Sequence, residues 1–203
     1  MTIFLIRHGE TASNAARIVQ VPEAPLNERG LEQADRLASR LADRGIRLIL
    51  SSDLARARMT AERLGTVIDA PIEYDSGLQE RNYGDLRGRA YAEFDFNIHG
   101  PGFAPPGGED WDTFERRVDE VWPRVLATQQ RVGGPIAVVT HGLVCRSLCV
   151  RLLELPDGTS NAHAFANTSL TIVDPTPPHR VSLLNCAQHL DGGPTDIGAI
   201  SGL

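Results

Sequence analysis

Near its start the chain reads TIFLIRHGETASN, so an apolar run from Ile3 to Ile6 passes without a turn signal into Arg7 and His8. The same event recurs twice. RLIL, from Arg47 to Leu50, leads into Ser51, Ser52 and Asp53 with Arg56 shortly after, and PIAVVT leads into His141. A guanidinium offers a planar fork for paired phosphate oxygens, and a neutral imidazole is a competent nucleophile toward phosphorus. The chemistry that suits two arginines and two histidines is capture of a phosphoryl dianion followed by attack on it. His8 is the predicted nucleophile, forming a phosphohistidine. It ends a rigid strand, Gly9 beside it leaves room for the phosphorus, and the neighbouring cations disfavour its protonation. His141 caps the helix that follows it, and the same geometry points the N–H groups of Gly142 and Leu143 at an anion.

A carboxyl must then protonate the departing alkoxide and later activate water against the phosphohistidine. In LQERNYGDLRG, Glu80 stands beside Arg81 among glycines that let the loop fold inward, and it takes that role. Glu10, Asp53, Glu109 and Asp110 are competing carboxyls. Glu10 and Asp53 read as stabilisers of helix starts. Glu109 reads as lying over the site or capping the next helix.

These groups can meet only if the fold brings distant strand ends to one edge, and the alternation of elements does this. In LNERGLEQADRLASRLADRG, Leu31, Ala34, Leu37, Ala38 and Leu41 recur at helical spacing, with Gly45 as the stop. SSDLARARMTAERLGTVI gives a second helix, capped by Ser52 or Asp53, with Ala57, Ala61 and Leu64 as its buried stripe. PIEYD is a short extended piece. DWDTFERRVDEVWPRVLATQQ is a long helix that carries Trp111 and Trp122 as packing residues and in which Pro123 introduces a kink. HGLVCRSLCVRLLEL is the helix after PIAVVT, and SLTIVD and RVSLLN are closing strands. Strands alternating with helices predict an α/β fold with a mostly parallel sheet covered on both faces, whose ligands bind beyond the carboxyl ends of the strands. The stretch from 76 to 109, rich in Gly and Pro, reads as an irregular lid, and the glycine-rich tail from about 189 to 203 as draped chain.

At 203 residues, 41% hydrophobic and 23% charged, the chain suits one domain spanning 1–203. Its net charge of −6, with no long block of either sign, argues against a nucleic-acid or anionic-membrane partner and leaves a small-molecule phosphate ester as the expected one. Cys145, Cys149 and Cys186 form no metal-binding pattern, and the first two read as small buried hydrophobes on one helix face. A reduced compartment, the lack of a signal-peptide pattern and the lack of any apolar run of about 20 residues point to the cytoplasm. His99, His163, His179 and His189 lack ligand spacing and read as surface or structural. Nothing in the sequence marks an oligomeric state.

The ordered set RHGETASN, LNERG, SSDLARARMTA, LQERNYG and VVTHG resembles the histidine phosphatase superfamily, the group that holds cofactor-dependent phosphoglycerate mutases and many small phosphatases. The resemblance runs from the first strand to about residues 167–169. It implies a three-layer α/β/α sandwich with a mostly parallel, partly mixed sheet, and neither metal nor cofactor. It also implies that His8 is phosphorylated, that Arg7, Arg56 and His141 are the phosphate-binding core, that Asn14 is a further phosphate donor, and that Glu80 is the proton donor. Relatives carry Gln-Gly where this chain has Gln20-Val21, and Pro-Leu-Thr where it has Pro25-Leu26-Asn27. ERNYGDLRG is similar to the mutase branch, yet the basic insertion with which mutases grip a second phosphate is replaced by YAEFDFNIHGPGFAPPGGED, acidic and aromatic, preceded by Arg87 and Arg89. The expected activity is hydrolysis of a small soluble phosphate ester, with a phosphoglycerate-type mutase and a non-catalytic phospho-ligand module as the alternatives.

Overall fold

The computed structural model describes residues 1–159 and 164–191. In chain order it runs β1 (Ile3–Arg7), α1 (Ala12–Ala15), α2 (Glu28–Leu41), β2 (Leu48–Ser51), α3 (Ala55–Ile68) and β3 (Ile72–Tyr74). Three short 3-10 turns interrupt residues 76–93, as the irregular composition predicts. Then come α4 (Trp111–Val132), β4 (Ile136–Thr140), α5 (Gly142–Arg151), β5 (Leu170–Val173) and β6 (Val181–Cys186). Of the expected tail, residues 192–203 lie outside the described residues, as does His163.

The six strands form one sheet in the order β3-β2-β4-β1-β5-β6. β1, β2, β3 and β4 are parallel, while β5 and β6 run antiparallel at one edge, so the mostly parallel, partly mixed sheet is present as expected. Alternation along each central strand makes three layers. Ile3 and Leu5 of β1, Leu48 and Leu50 of β2, and Ile136 and Val138 of β4 pack with α4 and α5 on one face. Phe4 and Ile6, Ile49, and Ala137 and Val139 pack with α2 and α3 on the other. With both faces covered, these strands carry apolar residues at nearly every position. Cys145 and Cys149 are buried in the first of these cores, as their spacing predicts.

The helix boundaries follow local chemistry, with corrections. The side chain of Asn27 accepts from Gly30 N–H at 2.7 Å and starts α2; that of Asp110 accepts from Thr113 N–H at 2.7 Å and starts α4. α4 continues through Pro123 from Trp111 to Val132, so the proline does not end it. α3 has Leu54 at its N-cap position and no side-chain cap, contrary to expectation. Ser52 Oγ instead lies 2.8 Å from His141 Nε2, and Asp53 Oδ1 accepts from Gln79 Nε2 at 2.7 Å. Tertiary partners have claimed both capping candidates.

Gly9 also differs from its expected use. A Cβ at Gly9 would stand 2.6 Å from Gly30 O, and one at Gly30 would stand 2.0 Å from Glu10 O. The missing side chains let α2 press its first turn against the loop after β1; they do not make room for a substrate. Gly30→Ala is therefore expected to lower stability by roughly 3 kcal/mol or more, because backbone must move to admit the methyl group. A urea denaturation midpoint within experimental scatter of the parent would refute this packing.

Candidate active site

β1, β2 and β4 lie side by side and end at the same edge, and the chain delivers its polar residues there. His8 extends the ladder by one residue, its N–H donating to Thr140 O at 2.9 Å. Its carbonyl accepts from Thr168 N–H at 3.2 Å and from Asn167 Nδ2 at 3.0 Å, so the backbone is held from both sides. His8 Nδ1 lies 2.7 Å from Gly9 O. A carbonyl can only accept, so Nδ1 carries the proton and Nε2 keeps its lone pair. That is the tautomer a nucleophile requires.

Arg7, His8, Asn14, Arg56, Glu80, Gly142 and Leu143 all line one cavity of about 80 Å³. His141 stands behind this wall and not in it. Its ring centroid is 5.0 Å from that of His8, and it is fully buried against Ser52. When Ser52 donates to Nε2, the neutral ring carries its proton on Nδ1, and that nitrogen has no partner among the described residues. Nε of Arg7 and Nε of Arg56 are likewise buried without a partner. Buried donors left unmade cost on the order of 1–3 kcal/mol each, and an anion at this point would offset that cost. Each guanidinium is otherwise anchored, Arg7 by the carbonyl of Phe165 and Arg56 by Val21 O at 3.2 Å.

Burial is the chief reason the His8 imidazole is held well below its usual pKa; the charges of Arg56 and Arg7 add to the effect. The expected cause, the neighbouring arginines, is thus the smaller one. His141 is lowered in the same way, by burial and then by Arg56 and His8. Glu80 moves oppositely. Burial raises its carboxyl above the usual range, against N–H bonds from Arg81 and Leu143 and the two cations. The Glu80 oxygens accept from Arg81 N–H at 3.0 Å and from Leu143 N–H at 3.2 Å. Leu143 N–H is therefore taken up by the Glu80 carboxyl and not aimed at an anion in the cavity as expected.

The rival carboxyls are engaged elsewhere. Asn27 Nδ2 donates to Glu10 at 2.8 Å, beside the start of α2 as expected. Glu109 takes Arg117 at 2.8 and 2.7 Å and Asn82 N–H at 2.8 Å. Burial is the largest single influence and pushes the Glu109 carboxyl up, but the bonds from Arg117 and Asn82 together with the charges of Arg117 and Arg81 outweigh it and hold the group low. Asn14 has its side chain in a capping box with Thr11 while lining the cavity. Gln20 also lines it, whereas Asn27 serves as the cap of α2.

Sequence reasoning missed much of the outer wall. Tyr83, Arg87, Tyr91, His99 and Arg146 line the same cavity. His99, expected at the surface, pairs its Nδ1 with Tyr83 Oη at 2.6 Å and is pulled to about 4 by burial and by Arg81 and Arg146. The irregular segment is pinned by Arg81, which donates to Glu109 O at 3.0 Å and to Phe103 O at 2.5 Å and lies 4.1 Å over the Trp111 ring. Among the described residues no group of three or more His, Cys, Asp or Glu could hold a metal, and no helix is long and apolar enough to cross a membrane.

A sheet with central parallel strands that ends in paired histidines beside buried guanidiniums defines a class, the α/β enzymes that handle phosphoryl groups. The chain belongs to the histidine phosphatase superfamily (branch 1), whose family model matches residues 3–186. A Yersinia pestis (strain Pestoides F) protein named "Probable phosphoglycerate mutase GpmB" is 32% identical over 184 residues, covering 86% of this chain and 85% of its own. The solved structure of a mycobacterial glucosyl-3-phosphoglycerate phosphatase with VO3 superposes with a TM-score of 0.77 at 28% identity, over 91% of this chain and 99% of that one. The alpha-ribazole phosphatase from Shigella flexneri gives a TM-score of 0.80 at 26% identity, over 92% and 97%.

Proposed function

We propose that this protein is a phosphomonoesterase that works through a phosphohistidine on His8 Nε2, with Glu80 as general acid and then general base. The observation that carries the reading is the His8 Nδ1–Gly9 O bond, which bares Nε2 at the wall of a cavity ringed by Arg7 and Arg56. Arg7 and Arg56 neutralise the equatorial oxygens, Asn14 and the neutral Nδ1–H of His141 act as uncharged donors, and Nε2 attacks in line. Glu80, whose carboxyl burial moves above its usual range toward the protonated form, gives its proton to the leaving alkoxide. As a carboxylate it then takes a proton from the water that attacks the phosphohistidine, restoring both groups. No step calls on a metal. The deciding experiment is incubation with a phosphate ester and measurement of free phosphate, together with acid-labile labelling of the protein.

The similarity to a protein named as a mutase keeps one second reading, isomerisation of phosphoglycerates. Product fate separates the two, since a mutase returns the other isomer and a phosphatase returns inorganic phosphate.

The pH profile follows from the two shifted groups. Activity requires neutral His8 and protonated Glu80. His8 lies well below 6.5, so the acid limb of kcat/KM is expected well below pH 6.5; Glu80 lies above 4.5, so the alkaline limb is expected above pH 4.5. After correction for the ester's own ionisation at about pH 6, Glu80→Gln is expected to remove the alkaline limb alone. An unchanged alkaline limb in that variant would transfer the acid role to another group.

A further inference from the structure

Glu80 stands on a stretch that no ladder holds, since residues 79–83 belong to neither helix nor strand. Side chains from elsewhere satisfy its backbone instead, and the four successive carbonyls from Gly77 to Glu80 are all taken. Arg117, on α4, donates from Nη1 to Gly77 O at 2.9 Å and to Gln79 O at 2.8 Å, and from Nη2 to Glu80 O at 3.4 Å. Thr140 Oγ1, at the end of β4, donates to Leu78 O at 2.7 Å. On the other side of Glu80, both backbone groups of Asn82 are tied to Glu109. The Asn82 N–H donates to Glu109 Oε2 at 2.8 Å, and its carbonyl accepts from Glu109 N–H at 2.8 Å. These two anchors are joined, because Arg117 meets the Glu109 carboxylate through Nε at 2.8 Å and Nη2 at 2.7 Å, a bidentate fork. Neither Arg117 nor Glu109 lines the cavity. What the pair reaches is the backbone that carries the acid.

We propose that the Arg117–Glu109 pair is a positioning device that sets where the Glu80 carboxyl meets the leaving oxygen. This rests on the phosphatase reading and deepens it. Proton transfer needs hydrogen-bond reach, and a misplacement of about 1 Å can cost on the order of 10²-fold. A planar guanidinium serves three carbonyls and a carboxylate from one fixed point; an ammonium on a flexible stem does not. The phosphate forks are independent of the pair, Arg7 being anchored by Phe165 and Arg56 by Val21. Loss of the pair therefore weakens acid catalysis and leaves phosphate capture and the nucleophile in place.

The test reads kcat/KM on phenyl phosphate and p-nitrophenyl phosphate, which are close in shape and differ in leaving group. Phenolate, with a pKa of about 10, needs the proton that nitrophenolate leaves without. Arg117→Met is expected to lower kcat/KM by about ten- to hundredfold on phenyl phosphate and by less than about threefold on p-nitrophenyl phosphate, with Arg117→Lys between it and the parent. Placed on Glu80→Gln, Arg117→Met is expected to widen the gap between the esters no further, because the acid it positions is already gone. Should Arg117→Met fail to fold, Glu109→Gln, which keeps the shape and removes the ion pair, is expected to show the same selective loss at smaller size. Equal losses on both esters, or a selective loss that adds to that of Glu80→Gln, would overturn the assignment. If Glu80→Gln itself treats the two esters alike, the acid role in the phosphatase reading falls. If Glu80→Gln is selective and the Arg117 and Glu109 variants are not, only the positioning role falls.

Discussion

His8→Ala is expected to abolish turnover, with kcat at least about 10⁴-fold down, and to eliminate covalent labelling by phosphate-labelled substrate. The size of the effect follows from what the side chain does. Uncatalysed hydrolysis of phosphate monoesters is so slow that an enzyme supplies up to ~10²¹-fold acceleration, and a covalent step divides that barrier in two. Without Nε2 the arginines still bind phosphate but hold nothing to receive it. The backbone of His8 is anchored through Thr140, Thr168 and Asn167, so the variant is expected to fold, and circular dichroism checks this. A folded His8→Ala protein that still takes up label would place the phosphoryl group on another residue. His141 would be the first to examine, at a centroid distance of 5.0 Å.

Glu80→Gln is expected to slow esters with poor leaving groups by roughly 10²–10⁴-fold, the usual worth of general acid catalysis, while p-nitrophenyl phosphate suffers far less. A nitrophenolate departs without a proton; an alkoxide does not. Glutamine keeps oxygen and size, so one N–H bond from Arg81 or Leu143 survives and the loop stays in place. Equal losses on both ester types would mean that Glu80 holds the loop and some other group moves the proton. Glu109 is poorly placed for that, since Arg117 and Asn82 already occupy its oxygens.

How much of this was legible in the sequence depends on the range of the cause. The central strands were, because four or five apolar residues in a row can only be buried on both faces, and their abrupt change to Arg7, His8, Ser52 and His141 marks the edge where the sheet stops. The assembly of Arg7, His8, Asn14, Arg56 and Glu80 around one cavity follows from that edge and the motif order. Gly9 was misread because a missing side chain says that something comes close without saying what; the neighbour is Gly30. The helix cap at Leu54 was misread because Ser52 had a partner 89 residues away in His141. His99, Tyr83, Arg87 and Arg146 were not legible at all as pocket residues. Segment 76–109 has no periodicity, and its path is set by Arg81 and Arg117 reaching across it, contacts no local pattern encodes.

The pairing of Ile3 with Ile136 and Arg7 with Thr140 has a kinetic consequence. The first and fourth strands find each other only after most of the polypeptide has been made and looped back, a slow and entropically costly closure. Helical signal should therefore return early in a refolding experiment, and the ability to release phosphate late, when that seam zips shut.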